Sequence, residues 1–130
     1  MDCLFCKIIA GEIPSYKIYE NEYVLAFLDI DPDSDGHTLI IPKKHFNDIK
    51  DIDEKYLNEI FKASKIIIKL LEDKLNCSGI TLLQNNGDVQ EVKHFHLHVK
   101  PYYKNIENIK VSIDKDVLKD TKEIYELLSK

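Results

Sequence analysis

Polar and apolar side chains alternate at every position of His94-Phe95-His96-Leu97-His98-Val99-Lys100. A period of two is that of a strand, and it predicts Phe95, Leu97 and Val99 on a core face with His94, His96 and His98 on the other. Residues 3–10 read as a short helix ended by Gly11, with Pro14 beyond it as a stop. Residues 16–20 and 23–28 read as two strands joined at Asn21-Glu22, a hairpin turn without glycine. The polar run 29–36 is a loop, and residues 37–41 form an apolar strand closed by Pro42.

The period then lengthens. Asp51 with Glu54 makes a capping box, and Leu57, Ile60, Ser64, Ile67, Leu71 and Leu75 follow at spacings of three and four, which predicts a helix over about 52–75. Residues 76–79 end it, residues 80–84 form another strand, and residues 85–91 connect directly to the histidine strand. Strands joined so closely pair antiparallel. The expected fold is therefore α+β, a mainly antiparallel sheet with its helices gathered on one face. Val117, Thr121, Ile124 and Leu128 mark a second amphipathic helix near the C-terminus. One domain spans 1–130, with a motif-bearing core at 3–103 and a helical extension at about 114–129.

A chain of 130 residues, 44% hydrophobic and 32% charged, can bury an ordinary core without staples. Its net charge of −5 argues against nucleic acid or an anionic membrane as a partner. All 18 basic residues are lysine, so any phosphate must be held by backbone N–H groups, histidine, lysine or amides rather than by an arginine fork. No apolar run approaches the roughly 20 residues of a membrane span, and Met1-Asp2-Cys3 lacks the basic flank of a signal peptide. The expectation is a cytoplasmic protein with reduced thiols. The acids of residues 29–36 do not follow the spacing of a calcium loop.

Three histidines at alternate positions are too many for structural residues alone, which leaves two chemistries open. One is a three-histidine zinc site with an open fourth position. The other uses imidazole as acid, base and nucleophile. The outer pair lie about 13 Å apart along a strand, which opposes convergence on one metal.

His94-Phe95-His96-Leu97-His98-Val99 resembles the signature of the histidine triad family of nucleotide hydrolases and transferases. The resemblance extends through residues 3–14, 26–30, 36–45 and 85–87, in order, to the small single-domain branch resembling histidine triad nucleotide-binding proteins; the terminal helix lies outside it. It implies that His96 attacks the α-phosphorus of a nucleotide and is later freed by water, with His98 as proton donor and phosphoryl ligand and His37 beside the nucleophile. It also implies an apolar base slot of Leu4, Phe5, Ile8, Phe27 and Ile30, with Asp29 on the ribose and Asn85, Gln90, Glu91 and Val92 near the phosphates. The implied substrate is a purine nucleotide or nucleotide conjugate, with no organic cofactor.

Cys3, Cys6, His45 and His94 resemble the family's structural zinc ligands, a chemically sound Cys₂His₂ set. The alternative is a reduced pair of small side chains packed on the sheet. The resemblance also implies a homodimer, and Ile66, Ile68 and Leu70 lie off the main helix stripe where a partner would cover them. Three departures bear on substrate: a loop before Gln90 two residues shorter than is usual, Glu91 where no hydroxyl is offered, and Tyr102 where an arginine is common. They favour a short leaving group, as in a nucleoside phosphoramidate. A dinucleotide polyphosphate hydrolase, or a nucleotide-binding regulatory or scaffold protein with incidental hydrolysis, stays open.

Overall fold

The computed structural model describes residues 3–104 and 112–129. Five strands, β1 (Lys17–Glu20), β2 (Val24–Leu28), β3 (Thr38–Pro42), β4 (Gly79–Gln84) and β5 (Leu97–Tyr102), form one sheet in the order β1-β2-β3-β5-β4. Every neighbouring pair is antiparallel. The hairpin between β1 and β2 turns without glycine because the Asn21 Oδ1 accepts from the backbone N–H groups of Tyr23 and Val24, at 2.8 and 3.0 Å.

Helix α1 (Leu4–Ile9) and helix α2 (Glu54–Leu75) lie on opposite faces of this sheet. Val24, Ala26, Ile40, Leu97 and Val99 pack with the α2 residues Ile60, Ala63, Ile67 and Leu71. Leu25, Phe27, Leu39 and Ile41 pack with Cys3, Phe5 and Ile8. The expectation that the helices gather on one face is therefore corrected. Its physical signal was present: β3 is buried at every position and β2 at all but its last, as in strands covered on both sides. A six-residue helix cannot hold itself in water, so α1 exists by packing Phe5 and Ile8 on the sheet.

The start of α2 also differs from the expected capping box. Asp53 is the cap, its side chain accepting from the Lys55 N–H at 3.1 Å, while Asp51 accepts from the N–H groups of Asn47 and Asp48 in the preceding turn. Ile52, just before the cap, and Leu57, four positions after it, join the same core cluster. That hydrophobic staple fixes the helix entry two residues later than Asp51 would. At the other end Asn76 adopts a left-handed conformation, φ 55°, and closes the helix in place of glycine.

Of the three residues expected off the stripe, only Ile66 is exposed; Ile68 packs against the main cluster and Leu70 is half-buried. Helix α3 (Thr121–Leu128) begins later than the expected extension, since Val117 lies in a preceding 3₁₀ turn, and all its residues are exposed. Among the described residues no helix is long and apolar enough to cross a membrane. Asp53→Ala is expected to lower unfolding free energy by about 1 kcal/mol through loss of the cap, read from denaturant melts. Glu54→Ala should change it by less than about 0.5 kcal/mol.

Candidate active site and metal cluster

The strand carrying the histidines is shorter than the alternation predicts. β5 starts at Leu97, so only His98 lies within it and His94 and His96 precede it. The ladder with β3 runs from Thr38↔Val99 to Ile40↔Leu97. Beyond that point Pro42 has no N–H to give, its carbonyl is taken by His94 Nε2 at 2.9 Å, and the Phe95 N–H turns to the Phe46 carbonyl at 2.7 Å. The alternation nevertheless survives: Phe95, Leu97 and Val99 are buried in the main core, and His96 and His98 face a cleft on the other side.

Hydrogen-bond partners fix the tautomer of each ring. His96 Nδ1 lies 2.8 Å from the His94 carbonyl, so Nδ1 carries the proton and Nε2 keeps its lone pair. His37 Nδ1 accepts from the Asp33 N–H at 3.0 Å, which puts the proton on Nε2. That Nε2–H donates to His98 Nδ1 at 2.9 Å and leaves His98 with a proton on Nε2. The Asp33–His37–His98 chain thus presents an imidazole N–H beside the lone pair of His96, the two rings 4.9 Å apart.

Burial is the first cause of the low pKa of each of these rings. His98 is held at about 4, with the like charges of His96, His37 and Lys100 adding to burial. His37 and His96 are shifted in the same direction, though Asp29 opposes the shift at His37 and the bond to His94 opposes it at His96. At neutral pH all three are neutral.

Two clefts meet at these rings. An apolar slot of about 270 Å³ is walled by Leu4, Phe5, Ile8, Phe27, Ile30, Leu39 and Val92. A polar cavity of about 200 Å³ is lined by Asp31, Asp33, His37, Asn85 and Lys100. Asp29, Asp31, Glu91, His96 and His98 line both. Asp29 Oδ1 accepts from the Asp31 N–H at 2.9 Å, and Oδ2 lies 3.6 Å from His37 Nε2. Gln90 lines neither cleft: the short loop folds into a single 3₁₀ turn, Gly87–Val89, and the buried Gln90 amide donates to the Asn47 carbonyl at 2.6 Å.

Cys3, Cys6, His45 and His94 come together at the N-terminus of α1, their ligand atoms all within 4.8 Å of one another. Both imidazoles present Nδ1, because Nε2 of His94 is bound to the Pro42 carbonyl and Nε2 of His45 to Asn47 Oδ1. Sulfur-to-nitrogen distances are 3.3 Å for Cys3–His94 and for Cys6–His45, and 3.6 Å for Cys6–His94. Tetrahedral zinc with bonds of 2.0–2.3 Å needs edges of about 3.3–3.8 Å. The donor set, the free lone pairs and the spacing all suit such an ion. Without one, burial and the neighbouring Cys3 push the Cys6 thiol up to about 11.

Residues 10–105 match the family model described as the HIT domain. The chain belongs to the histidine triad (HIT) family. This HIT chain is 46% identical over 101 residues to an adenosine 5'-monophosphoramidase of Saccharomyces cerevisiae, covering 76% of this chain and 61% of that protein. A HIT family member from Bacillus subtilis has a solved structure similar at a TM-score of 0.84, with 37% identity over 99% of this chain and 94% of that one. A zinc-bound histidine triad family protein from Mycobacterium smegmatis matches at a TM-score of 0.80 and 33% identity, over 89% and 86% of the two chains.

Sequence reading missed Lys100, Asp31, Asp33, Leu39 and Ser15 as cleft residues. For Lys100 the signal existed, since it continues the row His96, His98 at the same period of two. Ser15 gave none: its hydroxyl is shielded in the slot wall and has no hydrogen-bond partner among the described residues.

Because His98 has a folded pKa near 4 against an ordinary 6.5, the unfolded chain binds more protons between those values. Stability therefore rises with pH across that window and is lost as pH falls from about 6.5 towards 4. Denaturant melts between pH 4.5 and 7 should show a shallower acid loss in His98→Gln than in the wild type; identical slopes would remove the argument.

Proposed function

We propose that this HIT chain hydrolyses nucleoside phosphoramidates at the α-phosphorus through a nucleotidyl-histidine on His96. The observation that carries the reading is the free Nε2 lone pair of His96 at the junction of an apolar slot and a polar cavity. A neutral imidazole with one nitrogen tied up is an available nucleophile at neutral pH. The amidase name of the yeast relative supports the substrate class.

The base occupies the slot against Phe5 and Phe27, with Leu4, Ile8 and Ile30 around it, and the ribose hydroxyls bond to Asp29. Asn85 and the backbone around Glu91 and Val92 hold phosphoryl oxygens; Gln90 supports that loop from behind through Asn47. In the first step His96 Nε2 forms a bond to phosphorus. The bond from phosphorus to the leaving nitrogen breaks with its electron pair on that nitrogen, which takes the His98 Nε2 proton. The positive charge that the His96 ring gains on phosphorylation offsets the negative charge left on His98 until water reprotonates it. In the second step water gives its hydroxyl to phosphorus and its proton to His98, and the bond to His96 breaks. His37 acts as a positioning residue, holding His98 in the tautomer that donates.

Zinc at Cys3, Cys6, His45 and His94 would tie α1 to the histidine segment, a structural role outside the chemical steps. Exposed Ile66 on α2 supports a homodimer.

His96→Ala should lower turnover of adenosine 5'-phosphoramidate by roughly 10³-fold or more while retaining AMP binding; a variant keeping most activity would overturn the mechanism. Elemental analysis of reduced protein purified without added metal should find one zinc per chain, and Cys3→Ala should lose it. Sedimentation should give twice the 15.2 kDa chain mass, reduced to the monomer by Ile66→Glu.

A further inference from the structure

We infer that Lys100 is a specificity-determining residue that binds a negative charge carried by the leaving group. The inference rests on the hydrolase reading for its chemistry and on the cavity itself for its geometry. Lys100 lies two residues beyond His98 on β5, so both side chains leave the same face of the strand. It is the lysine among the described lining residues of the polar cavity, and the chain has no arginine to share the task.

Its side chain is only 14% exposed, and its ammonium pairs with Asp33 Oδ2 at 2.7 Å. A buried ammonium needs a counter-charge. Asp33, however, is 54% exposed and can return to water when another anion arrives. The pair is not needed to hold the loop. The Asp29 N–H donates to the His37 carbonyl at 2.9 Å, the His37 N–H to the Ser34 carbonyl at 3.0 Å, and the Tyr103 hydroxyl to the Asp35 carbonyl at 2.6 Å.

Position says where on the substrate the charge lies. Lys100 is about 6.6 Å further along the strand than the proton donor His98, on the side away from His96. It therefore meets the leaving group rather than the α-phosphate. Asp29, Asp31 and Glu91 line the same cavity, so without Lys100 the charged side chains that an anionic leaving group meets there are carboxylates. The position also answers for Tyr102, where no cation is offered. Two chemistries share the required charge: the carboxylate of an amino acid joined to phosphorus through nitrogen, and a phosphate joined through oxygen. The bonds made and broken are those of the proposed steps, the leaving atom taking the electron pair and the His98 proton.

A matched pair of substrates tests this with the zinc-replete full chain: adenosine 5'-phosphoramidates of glycine and of glycinamide, which differ in one negative charge. Lys100→Met should lower kcat/KM for the glycine conjugate by about tenfold or more beyond whatever it does to the glycinamide conjugate. Lys100→Arg should restore the preference, and Asp33→Asn should raise kcat/KM for the charged substrate. Diadenosine triphosphate forms the third arm: a selective loss there as well assigns phosphate to the site, and a loss confined to glycine assigns carboxylate. Equal losses on charged and neutral substrates, or no loss, would overturn the inference. If wild-type protein hydrolyses none of them, the hydrolase reading fails separately. Calorimetric titration with pyrophosphate alone then decides on Lys100, binding that is lost in Lys100→Met supporting it and absent or unchanged binding overturning it.

Discussion

A neutral imidazole is far easier to bury than a charged one, but it must present one donor and one acceptor, and a buried donor without a partner is costly. Four of the five histidines here meet that condition by having one nitrogen fixed by the protein: His37 by the Asp33 N–H, His94 by the Pro42 carbonyl, His96 by the His94 carbonyl and His45 by the Asn47 side chain. The second nitrogen of each is then determined. In His94 and His45 it is a lone pair facing sulfur, in His96 a lone pair facing the cleft, and in His37 a donor that sets the tautomer of His98, the fifth.

His94 joins the two centres. Its ring stands with Cys3, Cys6 and His45, while its carbonyl orients His96, so the group that would close the metal cluster also sets which His96 nitrogen faces the cleft. Covering the sheet on both faces makes this possible. α2 buries one side and leaves the other for α1, whose N-terminus carries the cysteines and whose Phe5 contacts Phe27 and His96 edge-on at 5.6 and 5.1 Å. The apolar slot is thus an interruption of the second core cluster, lined by the residues that build it.

The polar cavity has the opposite character. Its floor is strand β5 and its wall the loop 29–36, which supplies carboxylates, the N–H that fixes His37 and the partner of Lys100. Gly36, at φ +88°, lets that loop close against α2, where a Cβ would lie 2.6 Å from the Leu75 side chain.

The sequence by itself determined every strand of the sheet to within a residue or two except the start of β5, and both principal helices, because α2 carries a clean period of 3.6 and the central strands are short apolar runs bounded by turn residues. It also determined the residue types of both centres: alternating histidines, Cys3 with Cys6, and Asp29 ahead of His37. What only tertiary structure decided depends on partners distant in the chain. The two-sided cover of the sheet follows from where α1 docks, not from its own six residues. The cap of α2 passed from Asp51 to Asp53 because Ile52 entered the core. The strand broke off before His96 because Pro42, far earlier in the chain, has no N–H to pair. Gln90 turned to Asn47 through a contact that no local pattern encodes, and Lys100, whose face the period of two gives, met Asp33 only in the folded chain. A periodic pattern reports which face of an element is apolar; the hydrogen-bond partner of an imidazole, an amide or an ammonium is chosen by whatever the fold brings within about 3 Å of it.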